Sequence, residues 1–362
     1  MFNTDVLRAG AKEQRIALRE NPVQSFDYSH LLYDNQIGRA DGLLRSNAGG
    51  EWYVPVWHEA ELVGNIASAA TSISVDTTIA DYRALGKAIV WEDDETYALV
   101  DITTVGASSI TLSGAVGTDL VNAYCAPVRT GFNRTQPTIS PFQRNLARGG
   151  ISFEIVDQTD LASAVYDSYE SLRVVTTPFL AQENPNSIGK AQVFYGNAYG
   201  KVVAVNEYDY DEVTNNINFF DGTRSALWTR RQFYHAHKGR QKAFWLPTFK
   251  RDLDLVESAG SGDPVIVVTT VGDPTTLYIG RHIGVFLRDG TRIYREITGV
   301  TNGDDPGTKD IQITALGVAV APADVLYICF VNKVRSNTDT ITFEHRLNGY
   351  SIHSLSTIEV PD

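Results

Sequence analysis

The sequence predicts a mainly β protein with two helices, built as a tandem duplication in which each copy carries an inserted small all-β domain. Two observations support this fold class. A strand-like run, one helical pattern and an aromatic strand containing proline occur in the same order in both halves. The remaining sequence consists of short runs rich in Val, Ile and Thr, separated by turn residues. A chain of 362 residues is long enough for several cores of this kind.

The first copy starts with the strand-like run EQRIALRENPVQSFDYSHLL (13–32). A short helical pattern, DNQIGRADGLLRSN (34–47), follows and is stopped by Gly49 and Gly50. The chain then continues as WYVPVW (52–57). This order is typical of a strand, a helix and a return to the sheet.

The second copy repeats that order with a longer helix. The run GKVVAVNEYDYDEVTNNINFF (200–220) precedes a predicted helix over 222–238, with Ala226, Leu227, Phe233 and Tyr234 on one side. Asp221 or Thr223 can cap its start, and Gly239 stops it. The strand AFWLPTF (243–249) follows.

An alignment of the copies makes specific predictions about equivalent residues. When the glycines that end the two helices are aligned, Leu43 and Leu44 lie opposite Phe233 and Tyr234. Pro55 lies opposite Pro247 once a two-residue gap is allowed. Further along, Gly86 matches Gly280, residues 102–105 match 297–300, and Cys125 and Cys329 occupy the same place. Each copy ends in two more strand-like runs.

The proline strands mark the predicted joint between each sheet and its insert. Proline removes one ladder donor and fixes φ, so pairing stops and the chain turns away. The residues assigned to these joints are Trp52, Pro55, Trp57, Trp245, Pro247 and Phe249. The predicted domains are 1–58 plus 132–180 as unit 1, 59–131 as insert 1, 181–249 plus 336–362 as unit 2, and 250–335 as insert 2.

Within the inserts the turn signals are clear. VFLRDGTRIY (285–294) places an Asp-Gly turn between alternating apolar positions, which predicts a hairpin. The acidic run WEDDET (91–96) falls at the same turn in the first copy. It lacks calcium-loop spacing, so a solvated hairpin tip is favoured over a cation site.

Composition excludes several classes of function. A net charge of −12 argues against a surface that grips nucleic acid. We expect no transmembrane span and no secretory signal, because no long apolar run is present. Two cysteines in apolar runs indicate small buried side chains and no disulfide framework.

The sequence predicts no catalytic, cofactor or metal site and hence no enzyme. His235 and His237 are two apart on a helix, so they point to different faces and cannot chelate one ion together. The loop GSGD (260–263) lacks the helix and lysine of a phosphate cradle. A nucleophile elbow is also missing from the sequence.

One basic cluster surrounds the second helix. Its members are Arg230, Arg231, Lys238, Arg240 and Lys242. In an acidic chain, this local basic face favours contact with an acidic neighbouring subunit over contact with nucleic acid.

The phrase RRQFYHAHKGRQKAFWLPTFKRDLDL (230–255) resembles the helix, basic Gly turn and Phe-Trp-x-Pro strand of the tail-tip, or baseplate, proteins of long-tailed bacteriophages. The segment from EQRIALRENPVQSFDYSHLL to WYVPVW is similar to the matching part of those proteins. The resemblance is to proteins of the distal-tail type.

This resemblance implies a tube-like β-sandwich or split barrel in each copy, and a structural role in the virion. Such units pack side by side into a ring that caps the tail tube, lines the DNA exit channel and carries the hub and fibres. The expected partners are other copies of the chain, the tail tube protein, the tape measure protein, the hub and the fibres. DNA would pass without specific binding, and no membrane insertion is implied. The location would be the virion tail tip, after assembly in the host cytoplasm.

A duplicated chain changes the expected ring. Six equivalent positions can be filled by six single-unit chains or by three duplicated ones, so a trimer with pseudo-sixfold symmetry is favoured and a hexamer is the alternative. A carbohydrate- or receptor-binding module is the competing function, because small β-domains rich in Trp and Tyr often bind sugars. A cell-wall hydrolase is a third class, but the sequence contains no recognisable site for it.

Overall fold

The computed structural model describes residues 1–9, 12–161, 166–178, 186–189, 192–196, 200–206, 212–269, 278–346 and 349–360. The chain is mainly β, as predicted, and its two α-helices are α1 (Asn35–Ser46) and α2 (Arg224–His237). Two short 3₁₀ helices cover Trp57–Glu59 and Pro322–Asp324.

Twenty-seven strands make up the sheets of the described residues. They are β1 (Thr4–Ala9), β2 (Lys12–Ala17), β3 (Ser25–Tyr33), β4 (Trp52–Pro55), β5 (Glu61–Ile66), β6 (Ser72–Ser74), β7 (Lys87–Trp91), β8 (Tyr97–Val105), β9 (Ser109–Leu112), β10 (Leu120–Asn133), β11 (Thr138–Gln143), β12 (Leu146–Ile155), β13 (Ser168–Tyr169), β14 (Leu172–Arg173), β15 (Asn186–Gly189), β16 (Gln192–Tyr195), β17 (Val203–Asn206), β18 (Glu212–Asp221), β19 (Ala243–Pro247), β20 (Asp254–Leu255), β21 (Val265–Thr269), β22 (His282–Leu287), β23 (Arg292–Asn302), β24 (Thr308–Ile313), β25 (Val325–Ser336), β26 (Phe343–His345) and β27 (Ser351–Glu359).

Two large antiparallel sheets, of ten and eleven strands, have the same connectivity. The first runs β11-β12-β10-β7-β8-β9-β6, with β3 on β12 and with β4 and β5 on β10. The second contains the path β27-β25-β22-β23-β24-β21, with β18 and β26 on β27 and with β19 on β25. Every pairing along this common path has a counterpart in the other copy, so the duplication extends to the folding pattern.

A shared irregularity confirms the alignment of the inserts. The β8–β9 ladder shifts register between Ile102 and Thr104, and the β23–β24 ladder shifts between Ile297 and Gly299. A bulge is a specific local feature of a ladder, so its recurrence at matched positions fixes the equivalence of residues 102–105 and 297–300.

Just before this point the sequence alignment is wrong by one residue. The backbone N–H groups of Leu85 and Gly280 donate to the carbonyls of Ile102 and Ile297, at 2.9 and 2.8 Å. Both residues have positive φ, 62° for Leu85 and 81° for Gly280. Gly280 therefore corresponds to Leu85 and not to Gly86, because the left-handed position is held by leucine in the first copy.

The cysteines are also one place apart. Cys125 pairs with Val90 and Cys329 pairs with Gly284, and Gly284 corresponds to Ile89 in the corrected alignment. Cys329 is therefore equivalent to Ala126. A shift of one residue in a strand reverses the face, so the two thiols lie in different cores.

The proline joints lie where predicted. Strand β4 ends at Pro55, which pairs with Val128, and β19 ends at Pro247, which pairs with Val331. Beyond each proline, however, the long partner strand continues without a break. Strands β10 and β25 pair with the proline strand at one end and with insert strands at the other. The predicted boundaries at 131/132 and 335/336 therefore fall inside β10 and β25.

Each insert contains its own apolar core, and the two units differ in theirs. Ile73, Val90 and Ile110 are among the buried residues of the first insert, and Ile266, Ile283 and Ile311 are among those of the second. Unit 2 buries α2 against β18, β19 and β27. In unit 1 the corresponding cluster is small and contains no residue of α1 among those described.

Candidate assembly surface

The aromatic residues of the two joints lie on one face of each insert sheet. Trp57 and Phe249 both come two residues after the proline, and each contacts an aromatic residue near the end of an insert strand, β7 or β22. Trp57 packs edge-on against Trp91 at 5.1 Å, and Phe249 lies 6.2 Å from Phe286. Trp91 and Phe286 are equivalent, so the joints form the same contact twice.

Further aromatic and apolar residues extend this face across three strands. Trp91 pairs with Tyr97 on β8 and with Tyr124 on β10, and it stacks on Tyr124 at 5.6 Å. In the second copy Phe286 pairs with Arg292 and Tyr327, and it stacks on Tyr327 at 4.6 Å. Leu99 on β8 corresponds to Tyr294 on β23. We call these surfaces outer face 1 (Tyr53, Trp57, Trp91, Tyr97, Leu99 and Tyr124) and outer face 2 (Trp245, Phe249, Phe286, Arg292, Tyr294 and Tyr327).

Outer face 2 is covered by the chain itself, through residues 167–175. Tyr169 of the β13–β14 hairpin lies 5.3 Å from the Trp245 ring and 5.7 Å from that of Tyr294. The indole Nε1 of Trp245 donates to the Tyr169 carbonyl at 3.0 Å. Val174 forms an isolated parallel bridge with Trp245. As a result Trp245 is 1% exposed, and Phe286 and Tyr294 are buried.

Outer face 1 has no such cover among the residues that the structure describes. Tyr53, the counterpart of Trp245, is 53% exposed. Tyr97, Leu99 and Tyr124 are 51%, 42% and 43% exposed. A continuous aromatic and apolar surface of this kind is unusual on a free protein surface.

The remaining joint residues follow the same division. Trp52 is half-buried and Trp57 is 39% exposed. Pro247 is buried and Phe249 is half-buried against outer face 2. Trp245 lies in a core of the second copy, and Trp52 packs on the small core of unit 1, with its ring 5.9 Å from that of Phe153.

A buried charged seam joins the two copies. Glu59, 2% exposed, accepts from the Arg231 guanidinium and from the backbone N–H of Asp81, the latter at 2.7 Å. Arg224 donates to Glu61 and to the Glu59 carbonyl, both at 3.0 Å. These pairs connect the first insert with α2, so the seam fixes the copies against each other.

Two histidines complete the seam. His58 and His345 stack with ring centroids 4.0 Å apart and planes 6° from parallel. Burial lowers the pKa of His58, and the nearby His345 and Arg231 lower it further. Burial and Arg231 lower the pKa of His345 to about 4. Both rings are therefore neutral at physiological pH, as close stacking requires.

The basic cluster predicted at a subunit interface is largely occupied within the chain. Arg230 and Arg231 are buried, with Arg230 3.6 Å from Asp221 and Arg231 on Glu59. Arg240 forms an ion pair with Asp339 at 3.1 Å. Lys238 caps α2 in the left-handed region and is half-buried. The prediction is therefore wrong for Arg230 and Arg231, whose acidic partners lie in the same chain, and only Lys242 is exposed.

The α2 histidines are buried and separately bonded. His235 accepts from the Leu161 N–H at 3.1 Å, and His237 donates from Nδ1 to the Phe233 carbonyl at 2.7 Å. Burial lowers the pKa of each ring to about 4. The acidic hairpin tip also lies where expected, at the β7–β8 turn, where Asp93 accepts from the N–H groups of Glu95 and Thr96.

No protein-family model matches the chain, and no curated protein matches it. No group of three or more potential metal ligands occurs in the described ranges. Among the same residues no helix is long and apolar enough to cross a bilayer.

Sequence reasoning missed outer face 1. Its residues alternate along β7 and β8 with core residues, so the sequence could predict which side of the sheet they occupy. It could not predict whether another segment covers that side. The difference between the faces depends on residues 167–175, whose strands are only two residues long.

Proposed function

We propose that this chain is a structural virion protein of a long-tailed phage, forming a ring at the distal end of the tail tube. The observation that carries the proposal is the matching connectivity of the two large sheets. Two β units of one design in one chain supply two neighbouring positions of a ring. The sequence resemblance at the two proline joints supplies the phage context.

The distribution of exposed apolar side chains supports self-assembly. Leu43 on α1 is 54% exposed, and outer face 1 adds a second open apolar surface in the same copy. Surfaces of this kind are stabilised when a partner removes them from water, at about 25 cal/mol per Å² of apolar area. The first copy therefore has the properties of a subunit in contact with neighbours.

The charge balance fits a conduit for DNA. A net charge of −12 gives a ring lumen little attraction for phosphates, so DNA would slide through without being held. The proposed partners are the tail tube protein, the tape measure protein, the hub and the fibres, at the virion tail tip. Basic residues lining the lumen of the assembled ring would contradict this part of the proposal.

Mass and shape of the purified assembly test the proposal. Native mass spectrometry of the full chain should give three chains of 39.8 kDa each, and electron microscopy should show a ring with six similar lobes. Six chains would replace the pseudo-sixfold trimer with a hexamer and would keep the ring. A monomer at micromolar concentration would contradict both.

A receptor- or carbohydrate-binding module is the alternative function. The cluster of Trp57, Trp91 and Tyr124 favours it, because exposed aromatic rings are the usual platform for sugars. Glycan-array binding by the full chain, lost on Tyr124→Ala while the assembly mass stays unchanged, would support this alternative over a purely structural role.

A further inference from the structure

We propose that outer face 1 is the docking site for the β16–β17 hairpin of a second copy of this chain. The proposal rests on the self-assembly part of the proposed function and names the surfaces that meet. It starts from the pair of equivalent faces, of which one is covered and one is open.

The covered face shows which kind of element fits this surface. On outer face 2 the cover is a short hairpin that places Tyr169 over Trp245 and Tyr294. A main-chain bridge adds a second contact, between Val174 and Trp245. Because outer face 1 has the same strands in the same order, a short hairpin with aromatic and β-branched side chains fits it as well.

The β16–β17 hairpin has these properties and is exposed. Its register places Val193, Tyr195, Val203 and Val205 on one side. The other side carries Phe194 and Ala204 together with Gln192 and Asn206, which bond each other at 2.8 Å. Tyr195, Val203 and Val205 are 62%, 53% and 48% exposed. A two-stranded hairpin is marginally stable alone in water, so its apolar side needs a surface to pack against.

Charge favours the same pairing. Outer face 1 is bordered by the acidic tip of the β7–β8 turn, residues 92–95, of which all four are exposed. The two hairpin strands carry no acidic residue, and the exposed Lys201 lies two residues before the start of the second strand. In a chain with net charge −12, a neutral hairpin with an adjoining lysine is a favourable partner for an acidic rim.

The occupant comes from a second copy, since neither surface contacts the other within one chain. Tyr97 and Val203 both remain more than half exposed in the described structure. If each chain donates its hairpin to the next chain, the contacts run head to tail, and contacts of this kind can close into a ring.

Site-specific cross-linking tests the contact directly in the full chain. Tyr97→Cys protein is mixed with Val203→Cys protein, and a short bismaleimide is added. We expect cross-linked dimers in the mixture and none with either variant alone. The matched control replaces Tyr97→Cys by Arg292→Cys, at the equivalent position on outer face 2, and should give no dimer.

A second experiment measures assembly by sedimentation velocity. The double variant Leu99→Glu/Tyr124→Glu should weaken association by at least about tenfold, because it places charge at the centre of the interface. The control Val256→Glu/Val318→Glu changes residues of similar exposure in the second insert, 39% and 41%, and should assemble like the wild type.

The outcomes separate the two proposals. If the wild type assembles but the double variant assembles equally well and no cross-link forms, the docking site is wrong and the ring remains. If the wild type is monomeric at micromolar concentration, the ring fails and the docking site fails with it. Binding of glycans by monomers through outer face 1 would also overturn a second copy as the occupant.

Discussion

Helix α2 buries eight of its residues, whereas α1, which is described throughout and occupies the same place in the first copy, buries none. The same contrast separates outer face 2, covered by residues 167–175, from outer face 1. In both comparisons the second copy is the more buried one, because other segments of the chain cover its helix and its outer face. The corresponding surfaces of the first copy remain exposed. Duplication has therefore produced one insert face that is covered within the chain and an equivalent face that is available to partners.

The largest expected effect on stability comes from an alanine substitution at equivalent positions of the two copies. Trp245→Ala should reduce the free energy of unfolding by about 4 kcal/mol, since it empties a site that is 1% exposed. Tyr53→Ala, at the equivalent position, should cost less than about 0.5 kcal/mol in the monomer. Urea denaturation monitored by circular dichroism measures both, and equal losses would show that the faces are equally covered.

The seam between the copies is the next target. Glu59→Ala leaves the buried Arg231 without its carboxylate, so we expect a loss of about 3 kcal/mol. Asp41→Ala breaks the exposed Arg45 pair and should change the unfolding free energy by less than about 0.5 kcal/mol. If both variants unfold at the wild-type urea concentration, the seam does not hold the copies together.

Acid should weaken the packing of helix α2. His235 and His237 have a pKa of about 4 in the folded chain, below the ordinary value near 6.5, so the unfolded state binds more protons between these values. Stability is full above about pH 6.5 and is lost as the pH falls towards 4. Each histidine should lower the free energy of unfolding by about 2 kcal/mol at pH 5 relative to pH 7.

Helix α1 provides the internal control for this effect on α2. Helix α1 has no histidine. Hydrogen exchange at pH 5 should therefore show loss of protection in α2 and its neighbouring strands, and His237→Gln should reduce the loss. An unchanged urea midpoint from pH 7 to pH 5 would contradict neutral buried rings.

The smallest effect concerns the left-handed position shared by the inserts. Leu85 is 90% exposed at φ 62°, where the second copy has Gly280. Leu85→Gly should stabilise the protein by about 1 kcal/mol, because it removes strain and sacrifices no burial. Gly280→Leu should destabilise it by a similar amount. Thermal unfolding of the two variants checks the pair, and shifts in the same direction would refute the equivalence.

Element order, the helix caps and the proline joints could be predicted from the sequence because their causes are local. Thr223 accepts from the Ala226 N–H at 3.2 Å as an N-cap should, and Pro55 and Pro247 end their strands. The one-residue error at Gly86 arose because leucine holds the left-handed position, against the usual preference for glycine. The misplacement of the cysteines is a separate error, because residues 102–105 between the two points were aligned correctly.

The same reasoning does not extend to the functional surface. Arg231 looked exposed because its partner, Glu59, lies 172 residues away in the chain. The hairpin predicted at Asp289 and Gly290 forms with a three-residue loop, 288–290, since the Leu287 N–H donates to the Thr291 carbonyl. Which copy stays open is decided by long-range packing, which residue patterns do not record.

The N-terminal hairpin has a consequence for biosynthesis. Arg335, 3% exposed, donates two hydrogen bonds of 2.8 Å to Glu13, which is 322 residues earlier. Thr4 donates to Asp339 at 2.9 Å, so strands β1 and β2 are held by the last strands of the chain. During synthesis this hairpin must wait for about 300 further residues before it reaches its native contacts, since Arg335 is 322 residues after Glu13. Docking of this hairpin thus requires translation at least through Asp339, and a product truncated before Arg335 would leave the hairpin loose.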